Sequence, residues 1–190
     1  MPAQPGECDD DLLQRARAGD RPAFEALYER HFRSAYAVAY RLADADRDLA
    51  ADAAQDVFVT LVTGASGYRG AGQLRAYLLQ CVVNYVRQQL RRRRTAQRCL
   101  RAAVADVGEP EAKVITAAAG EAARQALRRL PAEQREVIVL RVYQGLRFAE
   151  IAEITGCPVD TAKSRYRRGV ERLRHALASW GEEGGTRHEP

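Results

Sequence analysis

The chain has 190 residues, a net charge of +5 and 46% hydrophobic residues, enough for one large domain or two small ones with cores of their own. No apolar run approaches the roughly 20 residues that a membrane-spanning helix needs, which excludes membrane insertion. Because the first residues also lack the basic and apolar segments of a secretory signal, the sequence predicts a cytoplasmic protein.

The four cysteines and three histidines show no metal-ligand spacing. Cys8, Cys81, Cys99 and Cys157 are scattered, and no Cys-x-x-Cys pair occurs. We therefore expect reduced thiols rather than a zinc site. The sequence also lacks a phosphate-binding glycine loop with lysine, clustered carboxylates and a Ser/His/Asp arrangement, so we expect neither a cofactor nor an enzymatic activity.

Charge alternates along the chain in four blocks. The net charge is −5 over residues 1–56, +9 over residues 57–105, −2 over residues 106–162 and +3 over residues 163–190. The second block contains nine arginines and no acidic residue. Such alternation predicts separate surfaces for separate partners, with the basic blocks facing a polyanion.

The first half of the chain is predicted to form helices. Residues 9–18 form a short helix that ends at Gly19, and Asp20 caps a second helix with Pro22 in its first turn. Apolar residues at three-to-four spacing define the buried stripe of this second helix. They are Phe24, Leu27, Tyr28, Phe32, Tyr36, Ala39, Tyr40 and Ala43.

Two more helices follow, separated by a loop. Residues 48–62 carry an apolar stripe of Ala50, Ala53, Ala54, Val57, Phe58 and Leu61. Residues 63–72 contain four glycines and are predicted to be a loop. A long helix over about residues 73–94 then has a buried face made of Leu74, Tyr77, Leu78, Cys81, Val82, Tyr85 and Val86.

The periodicity weakens over residues 95–116, which we interpret as a linker. A second helical domain is predicted over residues 117–178, with a helix at 132–143 that Gly145 ends and a pair of helices at 148–155 and 159–178. Residues 179–190 are polar, and we expect them to be disordered.

The paired helices have the layout of a helix-turn-helix, with a basic second helix after the turn at Gly156. Core positions are predicted at Phe148, Ile151, Ala152 and Ile154 in the first helix and at Val159, Ala162, Tyr166 and Val170 in the second. The exposed arc then consists of Asp160, Thr161, Lys163, Ser164, Arg165, Arg167 and Arg168. Early residues of this helix can reach base edges and later arginines can bind phosphates. The alternative, a solvated face of an ordinary bundle, accounts less well for the turn, the spacing and the charge together.

Two further patterns suggest binding surfaces. In the acid-free block, tyrosines and amides stand among the arginines, a composition that suits unpaired bases. The same tyrosines can also be core residues, and both readings remain open. Asp52, Gln55 and Asp56 share one face of the third helix. Taken alone, this stripe fits either a protein partner or a solvated face.

Together these segments resemble the extracytoplasmic-function sigma factors, the smallest members of the sigma-70 family, over residues 10–177. The stretch LPAEQREVIVLRVYQGLRFAEIAEITGCPVDTAKSRYRRGVERLR is similar to the family's fourth region. LLQRARAGDRPAFEALYERHF, DAAQDVF and LRAYLLQCVVNYVRQQLRRRR are similar to its second region. The sequence departs from the family at Tyr77, where Trp is usual, at Gln88, where Asp is common, and at Ala162, where Val is usual.

The resemblance implies an all-α sigma factor of two domains, at residues 9–94 and 117–178, joined by the linker 95–116, which would thread toward the RNA exit path. Its implied partners are promoter DNA and core RNA polymerase, through the β′ clamp helices and the β flap. The implied polymerase-binding residues are Asp52, Gln55, Asp56 and Phe58. The implied minus-10 residues are Arg69, Gln73, Arg75, Tyr77, Gln80, Asn84, Arg87, Gln88 and Arg91. The implied minus-35 residues are Asp160, Thr161, Lys163, Ser164, Arg165, Arg167 and Arg168.

Two other classes of protein compete with this interpretation. A stand-alone helix-turn-helix regulator that binds operator DNA without polymerase would share the C-terminal half, but it gives no reason for the acid-free block or for DAAQDVF. An enzyme acting on nucleic acid lacks any supporting motif. The sequence leaves open whether an anti-sigma factor is a further partner.

Overall fold

The structure, a computed structural model, describes residues 7–64, 67, 68, 70, 72–103 and 118–184. Within these ranges all regular structure is helical and there is no strand, as predicted for the fold class. The first half contains α1 (Asp9–Arg17), α2 (Arg21–Leu42), α3 (Arg47–Val62) and α4 (Leu74–Ala103). The second half contains α5 (Ala118–Arg129), α6 (Ala132–Ile138), a π-helical segment (Val139–Tyr143), α7 (Phe148–Thr155) and α8 (Val159–Gly184).

Side-chain caps explain where the first three helices begin. Cys8 caps α1, and the side chain of Asp20 accepts a hydrogen bond from the Ala23 amide at the start of α2. Asp46 accepts from the Leu49 amide at 2.9 Å at the start of α3. These caps satisfy amide groups that have no partner within their own helix, so the predicted starts agree with the structure to within a residue or two.

Helix α2 divides its apolar residues between two surfaces. Leu27, Ala35, Val38 and Leu42 are buried against the rest of the bundle. The aromatic residues of the predicted stripe are only half-buried and form a column along the helix, with successive ring centroids 4.4–6.1 Å apart. They are Phe24, Tyr28, Phe32, Tyr36 and Tyr40. Small side chains on the neighbouring face let α3 and α4 approach closely, while the rings cover the edge of the contact.

Helix α4 is buried over more of its surface than predicted. Besides the predicted face, Leu79 and Val83 are buried, because α2 and α3 pack on one side of α4 and α7 packs on the other. The helix also continues to Ala103, nine residues beyond Arg94. Residues 95–103 of the predicted linker are therefore helical, and the remainder of the linker lies outside the described residues.

The second half follows the predicted helix order with three differences. The helix predicted at 132–143 changes from α-helical to π-helical at Val139 before Gly145 ends it in a left-handed conformation, with φ of +68°. Helix α8 continues to Gly184, so residues 179–184 are helical where we expected disorder, and residues 185–190 are not described. Val159, predicted to pack in the core, is 38% exposed because it occupies the first position of α8, beyond the contact with α7.

The helix-turn-helix has the expected interior. Gly156 adopts φ of +67° between α7 and α8, a conformation that glycine adopts without strain. Ile151, Ile154 and Ala162 are buried, and Phe148 meets Tyr166 edge to face at 5.5 Å. Across the bundle, a methyl group added to Gly169 would meet Cδ1 of Ile138 at 2.6 Å, so α6 and α8 cross at closest approach there.

The two halves pack against each other, with α2 and α4 contacting α6, the π-helical segment and α7. In the described part of the chain, no helix combines the length and apolarity required to cross a bilayer.

Candidate polymerase and nucleic-acid interfaces

The predicted polymerase-binding stripe lies on the outer face of α3. Asp52, Gln55 and Asp56 are all exposed. Phe58 is not part of this surface: it is 2% exposed, and its ring lies 5.1 Å from that of Tyr28. Two residues along a helix correspond to a turn of about 200°, which carries Phe58 from the outer face into the core. In this structure the Phe58 side chain supports α3 from the core side, and a direct contact between Phe58 and polymerase stays a prediction.

The sequence interpretation missed one residue of this stripe. Val59 is 62% exposed and follows Asp52 by seven residues, so it continues the same face of α3. A single exposed apolar side chain is ordinary on a protein surface, so Val59 extends the stripe by its position on the helix alone. Its seven-residue spacing from Asp52 was the available signal.

Seven of the predicted minus-10 residues lie along one side of α4. At 3.6 residues per turn they fall within an arc of about 100°. They are Gln73, Tyr77, Gln80, Asn84, Arg87, Gln88 and Arg91, and we call them the α4 stripe. Arg75 lies on the opposite side of the helix, and Arg69 lies outside the described residues.

A groove of about 580 Å³ runs between α3 and α4 beside this stripe. The groove is lined by Asp56 of the predicted polymerase-binding stripe and by Asn84, Gln88 and Arg91 of the α4 stripe. Tyr85 also lines the groove, whereas Tyr77 contacts the loop residue Tyr68, with ring centroids 5.0 Å apart. The two tyrosines are half-buried, so part of each ring packs on the core and part remains accessible.

The second half of the chain contacts α4 at three of the predicted minus-10 residues. Arg75 Nη2 donates to the carbonyl oxygen of Gln144 at 2.9 Å, and Gln80 Nε2 lies 3.4 Å from the carbonyl oxygen of Glu153. Arg87 forms a two-point ion pair with Glu136, with distances of 2.6 and 2.5 Å. Glu136 is almost fully buried, and its carboxylate raises the pKa of Arg87 above the already high ordinary value.

Further contacts hold the same interface, and the sequence did not indicate them. Arg135, itself buried, pairs with Asp44, and Ser34 is hydrogen-bonded to Gln144. The Arg41 guanidinium lies 3.9 Å from the centre of the Tyr143 ring. The available signal was weak: Arg135 and Glu136 are two charged residues that precede the apolar run of α6.

The basic arc of α8 is more accessible. Asp160, Lys163, Arg167 and Arg168 are exposed, with an ion pair of 3.1 Å between the first two, and Thr161 and Ser164 are half-buried. Arg165 differs from the prediction, because its side chain is only 24% exposed and pairs with Glu133 of α6 at 2.8 Å. It lies at the edge of the arc, about 40° from the buried position of Gly169.

Among the described residues, no group of His, Cys, Asp and Glu is arranged to hold a metal ion. Burial raises the pKa of the Cys81 thiol, which reduces the fraction of reactive thiolate.

Comparison with known proteins follows this division of the molecule. Residues 27–96 match the family described as Sigma-70 region 2, and residues 120–173 match the family described as Sigma-70, region 4. The chain is 36% identical over 169 residues to the ECF RNA polymerase sigma factor SigM of Mycobacterium tuberculosis, covering 89% of this chain and 84% of that protein. The chain belongs to the extracytoplasmic-function (ECF) sigma factors.

Other relatives agree with this assignment. The chain is 27% identical to the RNA polymerase sigma-H factor of Pseudomonas aeruginosa over 183 residues, which is 90% of this chain and 94% of that one. Its fold is similar to that of the sigma factor RpoE of Bartonella quintana, solved in complex with the anti-sigma factor NepR, with a TM-score of 0.66, 27% identity and coverage of 82% and 96% of the two chains. It is also similar to CnrH in complex with the cytosolic domain of CnrY, with a TM-score of 0.66, 26% identity and coverage of 91% and 99%.

As an ECF sigma factor, the protein binds core RNA polymerase and directs it to promoters, with residues 27–96 matching region 2 and residues 120–173 matching region 4. A stand-alone helix-turn-helix regulator does not account for the region 2 match, which lies in the half of the chain that such a regulator lacks.

Proposed function

We propose a division of labour among three surfaces of this sigma factor. The outer face of α3, with Asp52, Gln55 and Asp56, binds core polymerase. The α4 stripe captures the unpaired minus-10 strand, with Arg69 and Arg75 assisting from the loop and the start of α4. The α8 arc, from Asp160 to Arg168, binds the minus-35 duplex.

The minus-10 assignment rests on one observation, that the residues of the α4 stripe lie along one side of the helix. Amide side chains alternate with arginines and a tyrosine along one side of a helix. Amides can hydrogen-bond to base edges, a ring can stack on a base, and arginines neutralise the backbone. A groove beside the stripe gives an unstacked strand room to lie against the helix.

For the minus-35 assignment, the support is the position of α8 after the left-handed turn at Gly156. The arc faces away from α6 and α7, so the N-terminal part of α8 is free to enter a major groove. Arg165 has to leave Glu133 before it can contact DNA, whereas Arg167 and Arg168 are already exposed.

The interface between the halves has a consequence for the order of events. In this arrangement Arg75, Gln80 and Arg87 are occupied by region 4, so the full minus-10 surface becomes available only when region 4 moves away from α4. Polymerase, which offers separate sites to the two regions, supplies the driving force for this separation. An anti-sigma factor that favours the closed arrangement would act in the opposite direction, and the complex of RpoE with the anti-sigma factor NepR supports a partner of this class.

The protein is expected to have no catalytic activity of its own and to work in the cytoplasm, where polymerase and the chromosome are. Its proposed function is to bind core polymerase and promoter DNA, which requires neither a nucleophile nor a cofactor.

A pull-down with bacterial core RNA polymerase and run-off transcription from genomic fragments of the source organism test the proposal. Wild-type protein should bind core enzyme and give discrete new transcripts. Asp56→Arg should abolish both, because it reverses the charge at the centre of the docking face. Glu29→Arg, the same change on exposed α2, is the matched control and should behave as wild type. Normal core binding by Asp56→Arg would contradict the α3 assignment.

A further inference from the structure

Asp10 connects two segments of region 2 that are distant in the sequence. The Tyr68 hydroxyl donates to one oxygen of the Asp10 carboxylate at 2.7 Å, and the Gly72 amide donates to the other at 2.9 Å. Both donors lie in the glycine-rich segment between α3 and α4. A single side chain of α1 therefore holds this loop at two points on either side of Gly70.

Arg17 provides a second connection from the same side of α1, because it follows Asp10 by seven residues. Its Nε donates to the carbonyl oxygen of Leu61 at 3.1 Å, and its Nη1 lies 3.4 Å from the carbonyl oxygen of Tyr68. Helix α1 thus contacts the last turn of α3 and two points of the loop that follows it.

Tyr68 passes this constraint on to α4. Its side chain is only 8% exposed although it belongs to a loop, and its ring lies 5.0 Å from the ring of Tyr77 in the α4 stripe. Burial and the hydrogen bond to Asp10 raise the pKa of Tyr68 to about 12. The hydroxyl consequently remains protonated, and a hydrogen-bond donor, over the whole pH range in which transcription is measured.

We infer that Asp10 is a positioning residue for minus-10 recognition, which fixes the glycine-rich loop and the Tyr77 ring through Tyr68 and Gly72. This inference rests on the proposed role of the α4 stripe. Asp10 itself does not contact DNA in this scheme. Its effect is to hold in advance a segment that would otherwise have to be ordered when the strand binds.

Such a connection has a physical reason. Gly70 and Gly72 have φ of +88° and +68°, and glycine loses more conformational freedom on ordering than any other residue. A loop that is ordered only on binding weakens the complex by the cost of that ordering. The carboxylate moves part of that cost from the binding step to the folding of region 2.

The test is the binding of polymerase holoenzyme to a fluorescent single strand that carries the promoter's minus-10 sequence, compared with a strand in which one minus-10 base is replaced. Asp10→Ala should weaken binding of the correct strand by roughly tenfold, the size expected for losing hydrogen bonds to a charged group. It should also reduce the preference for the correct strand. Tyr68→Phe keeps the ring against Tyr77 and should show a smaller loss of the same kind. Asp10→Asn retains an acceptor oxygen and should recover part of the loss.

Matched variants separate positioning from general damage. Asp11→Ala removes a neighbouring exposed carboxylate of α1, and Tyr36→Phe removes a hydroxyl in the α2 aromatic column; both should leave strand preference unchanged. Adding Tyr68→Phe to Asp10→Ala should cause little further loss, because the two groups form one hydrogen bond. A variant that is merely unstable would lower binding of both strands equally and would leave their ratio unchanged.

Two results would overturn the inference in different ways. Unchanged strand preference in Asp10→Ala, with a selective wild type, would remove the positioning role while leaving the α4 assignment intact. A wild-type holoenzyme without strand preference would remove the minus-10 assignment itself, and the role of Asp10 with it. Binding of minus-35 duplex and of core enzyme should be normal in every variant.

Discussion

The two DNA-binding surfaces of this sigma factor differ in how far the rest of the protein occupies them. On α4 of region 2, Arg75, Gln80 and Arg87 are all engaged by groups of region 4. On α8 of region 4, Asp160, Lys163, Arg167 and Arg168 are exposed, and Arg165 is held by Glu133 of α6. In the described structure α8 can therefore bind an upstream duplex directly. The minus-10 surface on α4 can bind a strand in full only after the two regions separate.

Glu136→Ala is expected to have the largest effect on the accessibility of the minus-10 surface. The Glu136 carboxylate is only 5% exposed and pairs with Arg87, which is 34% exposed. Removing one member of a fully buried pair costs about 3–5 kcal/mol, and the partial exposure of Arg87 reduces the expected loss of interface stability to about 1–3 kcal/mol. Free Glu136→Ala protein should have a larger radius of gyration by X-ray scattering and should bind minus-10 single strand more tightly than wild type.

Glu136 is suited to this experiment because it is not among the DNA-binding residues, whereas Arg87→Ala would remove both the ion pair and a predicted DNA contact. Glu171→Ala, which removes an exposed carboxylate of α8, is the control and should leave the radius of gyration unchanged. If Glu136→Ala were as compact as wild type and bound the strand no better, the closed interface would not limit access to α4.

On the region 4 side, Arg167→Ala should weaken binding of minus-35 duplex by about 1–3 kcal/mol if the side chain contacts a base. The loss should then depend on the base pair it faces. A phosphate contact would instead weaken binding to all sequences equally and reduce the dependence on salt. Fluorescence anisotropy with the promoter duplex and single-base variants distinguishes these cases, and no loss with any duplex would show that the arc does not face DNA.

The contrast between the two surfaces also shows what the sequence could reveal. Helix positions, the turn at Gly156 and the buried face of α4 follow from spacing and capping, which are local properties, whereas the residues of the α4 stripe were implied by the family resemblance. The burial of Phe58 did not follow from the family motif, because a motif identifies a segment and does not state which face of the helix each residue occupies. Arg135 and Glu136 were missed because their burial results from the packing of one half of the chain on the other, and Asp44 was missed because it pairs with Arg135 across that interface. Nothing in the spacing of either helix records that contact.

A smaller difference concerns how the helices of the two regions begin. Helices α1, α2 and α3 start with a capping side chain at the residue before the helix, whereas α6 starts at Pro131 without one, and at the start of α7 the Glu150 carboxylate accepts from the Arg147 amide at 2.6 Å. Asp46→Ala should therefore lower the free energy of unfolding of region 2 by about 1 kcal/mol at pH 7, as for other lost caps. Chemical denaturation of wild type and variant, with Asp48→Ala as the neighbouring exposed control, measures it.

The effect of Asp46 should depend on pH in a defined direction. The hydrogen bond from the Leu49 amide, and then the one from Arg93, lower the pKa of Asp46 in the folded protein. A lowered folded-state pKa stabilises the protein above the unfolded-state pKa, near 4, and this stabilisation is lost as the pH falls through the folded-state value. The difference between wild type and Asp46→Ala should shrink below about pH 4, and a constant difference down to pH 2 would contradict the role of the charge.

The smallest expected effect concerns the ion pair between Arg165 and Glu133 and its influence on minus-35 binding. Glu133 is 66% exposed, so its pair with Arg165 contributes at most about 1 kcal/mol, and breaking it frees the guanidinium at little cost. Glu133→Ala should therefore strengthen minus-35 binding slightly, by less than about fivefold, whereas Arg165→Ala should weaken it. In an Arg165→Ala background the gain from Glu133→Ala should disappear, because the competition for the guanidinium no longer exists. A gain that persists in the double variant would trace instead to the general repulsion between Glu133 and the DNA backbone, and Arg165 would then lose its assignment as a residue released for DNA binding.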